Sequence, residues 1–315
     1  MNILHDFNLG LKHFTIPENL LNEIKLYGFN IKDYINASEN DKHNCQIFFG
    51  NRITTSDLVQ MPKLEYIHLG CVGYNNLDTE VLKRKKIKLT NSSGIVERSM
   101  AETTLAAILW FNKSFNFLNN TQNFSREFFD DYYDNFIPIS KSKLLIFGYG
   151  KVSCELIKLV GKLTKNITVV VRNTKNCSYS GKILSPLSVS KNINEYNYII
   201  NCLPLNSMSK NYFDKDVFKK MNSKSIYINI GRSGTTVFND LLHFVKKNKI
   251  RGAYLDVYEI NDIINNQIIK DDRFLISPHI SGWTNEYWEK QFKLFTNNLN
   301  CYKSGNYNEL LNKII

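Results

Sequence analysis

The sequence lacks the features that mark secreted, zinc-binding or membrane-spanning proteins. Its six cysteines are scattered over 315 residues without a Cys-x-x-Cys pair, so we expect reduced thiols and no metal site. The first residues, Met1–Asp6, contain no basic segment followed by a long apolar one, which argues against a signal peptide. The longest apolar runs, such as Ile167–Val171, are too short to cross a bilayer. We therefore expect a cytoplasmic protein without a membrane partner.

The net charge is positive, with 40 Lys and Arg against 29 Asp and Glu, or +11. A basic balance can mark a protein that binds nucleic acid. Here the lysines are spread along the chain, and the densest run, Lys83–Lys86, has no aromatic residues among its cations. We therefore expect no nucleic-acid partner. The positive potential is instead suited to attracting anionic substrates and phosphates.

The length allows two domains, and the first ninety residues alternate short apolar runs with polar helical stretches. This alternation predicts βα units and a parallel sheet. A long amphipathic stretch over Glu97–Phe117 predicts a helix. The candidate strands of this part are Gln46–Gly50, Tyr66–Gly70 and Ile87–Thr90.

A second α/β series follows an aromatic, acidic connector at residues 128–133. Its strands are continuously apolar, which indicates burial on both faces, as in a doubly wound sheet. The predicted strands are Leu144–Phe147, Ile167–Val171, Tyr198–Leu203, Ser225–Ile230, Gly252–Val257 and Phe274–Ile276. The predicted helices are Val152–Lys162, Asp214–Met221, Phe238–Lys247 and, in the tail, Asn285–Tyr302.

A glycine turn follows the first strand of this second series. Gly148 and Gly150 come directly after an apolar run, and a helix pattern starts with Lys151 and Val152. A first glycine allows the tight turn, a second lets backbone N–H groups approach a pyrophosphate, and the helix N-terminus favours the negative charge. Ser153 stands at the third glycine position, where it is small enough for close packing. The order strand, turn, helix predicts a dinucleotide site.

The next strand ends without the carboxylate that usually binds the ribose hydroxyls of NAD. Arg172, Asn173 and Lys175 stand there instead. A guanidinium matches phosphate oxygens in a bidentate way. We therefore predict NADP as the preferred cofactor, with NAD as the alternative, in which case Arg172 stacks on the adenine or is a solvated surface charge.

Three later strand ends carry residues suited to carbonyl chemistry: Arg232, Asp256 and His279. The carboxyl ends of parallel strands converge on one crevice, so these side chains are expected to meet there. Reduction of a 2-oxo acid needs a cation that holds the carboxylate and polarises the carbonyl, and an acid that protonates the new alkoxide. Arg232 is suited to the first task and His279 to the second.

These motifs, in this order, resemble the D-isomer-specific 2-hydroxyacid dehydrogenases of the glyoxylate and hydroxypyruvate reductase type. The resemblance runs from about Leu64 to Trp283. The motifs that carry it are Gly70–Asp78, Ser99–Glu102, Gly148–Ser153, Cys202–Leu205, Ile228–Gly234, Leu255–Val257 and Ser277–Gly282.

The resemblance implies a Rossmann dinucleotide domain over residues 93–284, inserted in a smaller flavodoxin-like substrate domain made from residues 1–92 and 285–315. It also implies an active site in the cleft between them, and a homodimer formed through the dinucleotide domain. The backbone N–H groups of Val72 and Gly73 would hold the substrate carboxylate beside Arg232. The residues implied to line the cofactor are Gly148, Gly150, Lys151, Val152, Leu203, Pro204, Ile230, Gly231 and Asp256.

One position departs from the family pattern, in which a Glu five residues after the Asp of Leu-Asp-Val is bonded to the catalytic histidine. That position is Asn261 here, with Glu259 and Asp262 close by, and any of the three could be the partner of His279. A neutral amide orients the imidazole without favouring its charged form. If Asn261 is the partner, the rate of reduction falls earlier as the pH rises.

Two further functions remain open on the sequence. Similar folds serve as dinucleotide-sensing corepressors without catalysis, and the family includes formate dehydrogenases with an amide at the position of Asn261. Retention of both Arg232 and His279 favours the reductase.

Overall fold

The computed structural model describes residues 1–7, 15–118 and 133–315. The chain forms two compact units: unit 1 comprises residues 1–95 and 284–315, and unit 2 comprises residues 96–283. Residues 128–132 of the predicted connector lie outside the described residues.

The elements alternate along most of the chain. The strands are β1 (Asn2–His5), β2 (Asn30–Asp33), β3 (Ile47–Gly50), β4 (Tyr66–Leu69), β5 (Lys88–Thr90), β6 (Leu144–Phe147), β7 (Ile167–Val170), β8 (Lys182–Leu184), β9 (Tyr198–Asn201), β10 (Ile226–Asn229), β11 (Gly252–Leu255) and β12 (Phe274–Ile276). The α-helices are α1 (Glu18–Leu26), α2 (Glu39–His43), α3 (Thr79–Arg84), α4 (Glu97–Asn112), α5 (Phe115–Leu118), α6 (Lys151–Val160), α7 (Pro186–Val189), α8 (Lys215–Phe218), α9 (Phe238–Lys246), α10 (Ile260–Asn266) and α11 (Tyr287–Lys303).

Unit 1 is a five-stranded parallel sheet in the order β2-β1-β3-β4-β5, the flavodoxin-like arrangement that was predicted. Both ends of the chain build it. Phe295 of α11 stacks on Phe49 of β3 with 3.9 Å between ring centroids. Near the end of the sequence, the N–H of Ile314 donates to the carbonyl of Leu89 at 2.8 Å. The core of unit 1 therefore depends on residues that lie more than 200 positions apart.

A fully buried histidine lies within this core. The Nδ1 atom of His68 and the hydroxyl of Tyr66 each lie 2.7 Å from the hydroxyl of Thr90. Burial lowers the pKa of His68 to about 3, since a charged imidazole is disfavoured in an apolar interior. His68 is thus a neutral structural residue near pH 7.

Unit 2 is a seven-stranded parallel sheet in the order β12-β11-β10-β9-β6-β7-β8. Its strands are buried on both faces; Leu144 and Ile146 pack on one side, Leu145 and Phe147 on the other. This confirms the doubly wound sheet. The chain runs outward from β6 to β8 and then returns to β9, so the order reverses between β6 and β9. A crevice at such a reversal is the usual ligand site of this architecture.

Several predicted boundaries were wrong for local physical reasons. The helix predicted over Glu97–Phe117 ends at Asn112, because Ser114 adopts a left-handed backbone (φ 56°). The guanidinium of Arg251 donates to the hydroxyl of Ser114 at 2.9 Å and to the carbonyl of Phe111 at 2.6 Å, which fixes the helix end. Strands β1, β2 and β8 were missed, since their short runs mix polar with apolar residues.

Among the described residues, no helix combines the length and the apolar character that crossing a bilayer requires. The same part of the chain contains no cluster of three or more His, Cys, Asp or Glu side chains placed to hold a metal ion.

Candidate active site

The glycine turn after β6 has the geometry that a phosphate site needs. Gly148 has a φ of +92°, a conformation that side chains disfavour. Gly150 caps α6 with no side chain, and a Cβ built on it would meet nothing within 4 Å. The hydroxyl of Ser153 donates to the carbonyl of Gly148 at 2.9 Å, so this serine closes the turn. The space beside Gly150, at the start of α6, is therefore open, as an anion site at a helix N-terminus requires.

A cavity of about 940 Å³ opens from this turn along the ends of β6, β7 and β9. Its described lining contains two cations, Arg172 and Lys175, and neither Asp nor Glu. Leu203 and Pro204 line it from the β9 side. The volume and the mixture of apolar walls with a few polar groups are typical of a cofactor site. The turn and the cavity together fit a dinucleotide.

Arg172 is exposed, and its Nη1 atom lies 2.9 Å from the sulfur of Met208 across this cavity. A thioether is a weak acceptor, so the guanidinium can exchange it for a stronger one. The side chain of Asn173 accepts from the backbone N–H of Lys175 at 3.2 Å. This turn keeps Lys175 on the cavity wall beside Arg172.

Arg232 follows β10 on a loop that packs against the loop after β9. A Cβ on Gly231 would lie 2.6 Å from the carbonyl oxygen of Leu203, so only glycine fits there. Ile230 is buried beneath the loop. The Nη1 atom of Arg232 donates to the carbonyl of Gly231 at 2.7 Å. The remaining guanidinium donors can serve a ligand.

Arg232 and His279 line one small cavity of about 290 Å³. Two residues that are 47 positions apart in sequence are thus brought together at the carboxyl ends of β10 and β12, the two strands that flank β11. A cation and an imidazole at one cavity are suited to binding a carboxylate and to transferring a proton.

Asp256 organises the loop that carries His279. Its buried carboxylate accepts from the hydroxyls of Ser277 and Ser281 and from the backbone N–H groups of Ile280 and Ser281. His279 has a φ of +55°, which turns the following N–H groups toward this carboxylate. That Asp256 lines the cofactor, as family resemblance implies, stays a prediction; in the described structure its carboxylate is hydrogen-bonded to this loop. The two serines around Pro-His were the signal for this role, and it was overlooked.

The family model for the D-isomer specific 2-hydroxyacid dehydrogenase NAD binding domain matches residues 105–281. The chain belongs to the D-isomer-specific 2-hydroxyacid dehydrogenase family. It is therefore an oxidoreductase that transfers a hydride between NAD(P) and a small 2-oxo or 2-hydroxy acid.

Named relatives agree with this membership. The chain is 25% identical over 258 residues to a glyoxylate reductase of Thermococcus litoralis, covering 79% of this chain and 76% of the relative. It is 22% identical over 287 residues to glyoxylate/hydroxypyruvate reductase B of Shigella flexneri, covering 86% and 87%. The crystal structure of an NADPH-dependent glyoxylate/hydroxypyruvate reductase from Sinorhizobium meliloti, with NADP and malonate, has a TM-score of 0.79. It is 16% identical and covers 99% of this chain and 96% of that one, which shows the shared fold.

This dehydrogenase lacks an acidic partner on its histidine in the described structure. Asn261 is exposed on the first turn of α10 and shares no hydrogen bond with His279. Glu259 instead accepts from the hydroxyl of Ser233 at 2.8 Å. Asp262 lines a separate cavity of about 210 Å³ with Glu259, and burial, then the charge of Glu259, raises the pKa of Asp262. None of the three candidates is bonded to the imidazole among the described residues.

Val72 and Gly73 lie in unit 1, just after β4. The carbonyl of Val72 accepts from the side chain of Asn91 at 2.8 Å, and the carbonyl of Gly73 accepts from the thiol of Cys71 at 3.2 Å. Their carbonyls are thus held within unit 1, and the binding role of their N–H groups stays a prediction.

Proposed function

We propose that this dehydrogenase reduces a small 2-oxo acid, such as glyoxylate or hydroxypyruvate, with NADPH as the preferred donor. The observation that carries the proposal is that Arg232 and His279 line one cavity at the strand ends of the dinucleotide unit. The names of the reductases to which the chain is similar support the same substrate class.

Arg232 would bind the carboxylate of the 2-oxo acid and polarise its carbonyl, because a guanidinium offers several donors in one plane. A reduced nicotinamide cofactor, when bound, would supply the hydride. His279 would give its proton to the oxygen that becomes the hydroxyl. Asp256 would hold the loop of His279 in place. Family resemblance adds the backbone N–H groups of Val72 and Gly73 as carboxylate ligands.

The preference for NADPH rests on the cavity wall beside β7. Arg172 and Lys175 line it with Asn173, and none of the described lining residues carries a carboxylate. A 2′-phosphate would gain charge-assisted hydrogen bonds there, whereas the ribose hydroxyls of NADH would have no acid to accept from them.

A substrate panel with both cofactors tests the proposal. We expect NADPH oxidation with glyoxylate or hydroxypyruvate, and a kcat/KM for NADPH at least about tenfold above that for NADH. Arg172→Ser should remove this preference, since a charge-assisted bond contributes about 1.5–3 kcal/mol. Lys182→Ser is the matched control, because Lys182 is an exposed cation of β8 that does not line the cavity. Tighter binding of NADH by the wild-type enzyme would end the NADP assignment.

The same panel separates the other candidate functions. Tight NADPH binding without turnover of any 2-oxo acid would favour a dinucleotide sensor. Reduction of the oxidised cofactor by formate would favour a formate-dehydrogenase-like activity. We also propose a cytoplasmic homodimer, as family resemblance implies; a monomer mass in light scattering would contradict the dimer.

A further inference from the structure

Two asparagines end neighbouring strands at the same level of the unit 2 sheet. Asn201 is the last residue of β9 and Asn229 the last of β10, and the two are paired in register. They are 0% and 1% exposed. Each side chain therefore lies in the interior, at the start of a loop that carries site residues: Leu203 and Pro204 in one case, Arg232 in the other.

The amide of Asn201 connects these two loops. Its oxygen accepts from the backbone N–H of Leu203 at 3.0 Å. Its nitrogen lies 2.7 Å from the hydroxyl of Thr235 and 3.1 Å from the side-chain oxygen of Asn229. The hydroxyl of Tyr227 is also in reach, at 3.2 Å. One buried side chain thus contacts both strand ends.

The far side of this network holds the backbone of the catalytic arginine. The carbonyl of Arg232 accepts from the hydroxyl of Thr235 at 2.6 Å and from the amide of Asn229 at 3.3 Å. The side-chain oxygen of Asn229 accepts from the N–H of Gly231 at 3.0 Å. The Arg232 loop is therefore fixed by side chains that are themselves bonded to Asn201.

Energetics distinguish this network from ordinary packing. A buried amide left without partners destabilises the fold, whereas an apolar side chain of similar size would fill the same space without that penalty. A satisfied polar network specifies one geometry. A Cβ on Gly231 would lie 2.6 Å from the carbonyl oxygen of Leu203, so the two loops are also packed too closely to admit a side chain between them.

We propose that Asn201 is a positioning residue for both ligands, which couples the cofactor-lining loop after β9 to the Arg232 loop after β10. This inference rests on the proposed function for the identity of the 2-oxo acid. Its geometric part concerns how well NADPH and an anionic 2-oxo acid bind.

The test compares Asn201→Leu and Asn201→Asp with the wild-type enzyme, using glyoxylate and NADPH. Asn201→Leu removes the donors and the acceptor, so we expect at least a tenfold rise in the KM for glyoxylate with a smaller change in kcat. Asn201→Asp keeps the acceptor for Leu203. Since burial raises the pKa of a carboxyl, this variant donates when protonated and loses the donor when ionised. Its KM, relative to wild type, should rise with pH as this carboxyl ionises.

Asn298→Leu is the matched control. Asn298 is also fully buried, and its amide exchanges two hydrogen bonds with the backbone of Leu311 in unit 1. It should lower the melting temperature without changing either binding constant. A folded Asn201→Leu with wild-type constants, or a pH-independent KM ratio for Asn201→Asp, would overturn the inference. If Asn201→Leu does not fold, Tyr227→Phe, which removes one partner hydroxyl, should raise the KM by a smaller factor; an unchanged KM would count against the inference.

Wild-type turnover separates this inference from the proposed function. If the wild-type enzyme reduces no 2-oxo acid, the proposed function fails. The role of Asn201 is then tested by ligand binding alone. Titration of NADPH, and of oxamate into the NADPH complex, should then still show at least tenfold weaker oxamate binding for Asn201→Leu. Equal dissociation constants would refute the role of Asn201 independently of catalysis.

Discussion

Replacing Gly150 by alanine should separate folding from cofactor binding. The backbone of Gly150 has φ −104° and ψ −172°, which alanine adopts without strain. A Cβ there would meet nothing within 4 Å, so the folded protein accommodates the methyl group. Alanine also restricts the unfolded chain, which stabilises a protein by about 0.4–1 kcal/mol at a compatible site. We expect the free energy of unfolding to stay the same or rise slightly.

The same methyl group occupies the surface that a pyrophosphate would approach. Displacing the phosphate from the first N–H groups of α6 removes one charge-assisted hydrogen bond or more, each about 1.5–3 kcal/mol. Every 1.4 kcal/mol is a factor of ten in affinity. The dissociation constant for NADPH should therefore rise by about 10- to 150-fold.

NADPH fluorescence titration and thermal unfolding measure the two effects on the same samples. Gly148→Ala is the comparison, because its φ of +92° strains alanine and a Cβ would lie 3.3 Å from the carbonyl of Cys202. That variant should lose stability as well as affinity. An unchanged NADPH affinity in a folded Gly150→Ala would refute the assignment of this turn to the phosphates.

Two more outcomes follow from the described contacts. The pKa of His68 is about 3 in the folded protein against an ordinary 6.5, so only the unfolded state binds a proton there as the pH falls below 6.5. The free energy of unfolding should therefore drop by about 2 kcal/mol from pH 7 to pH 5. In urea titrations His68→Phe should remove this drop, whereas His43→Gln, at an exposed histidine, should keep it. Asp256→Asn turns an acceptor into a donor facing other donors, so we expect about 1–3 kcal/mol lower stability and at least a tenfold lower kcat; a wild-type kcat would exclude its role in holding the His279 loop.

The alternating strands and helices of the fold could be predicted from the sequence. Apolar runs such as Leu144–Phe147 and Phe274–Ile276 are strands with those bounds, because continuous apolar residues between glycine and polar turns have few other stable arrangements. The convergence of Arg232 and His279 was also predictable, since parallel strands with crossover helices bring their carboxyl ends to one edge. Strand positions, which follow from periodicity, and the convergence of strand ends, which follows from topology, could thus be derived from the sequence.

Side-chain hydrogen bonding could not be derived in the same way. The strand predicted over Tyr198–Leu203 ends at Asn201. The hydrogen bonds of the Asn201 amide could not be predicted, because its partners come from another strand and loop. The hydrogen bonds from the His279 loop to Asp256 were not predicted, because they depend on the left-handed backbone of His279. The absence of a bond between Asn261 and His279 depends on how α10 begins, which residue spacing does not fix.

The discontinuous composition of unit 1 has a consequence for biosynthesis. Unit 2 is contiguous from residue 96 to residue 283, so all of it is synthesised before residues 284–315. Phe295 and Ile314, which complete unit 1, emerge last. During translation, residues 1–95 are therefore complete long before the helix that covers one face of their sheet, and that face stays exposed in the interval.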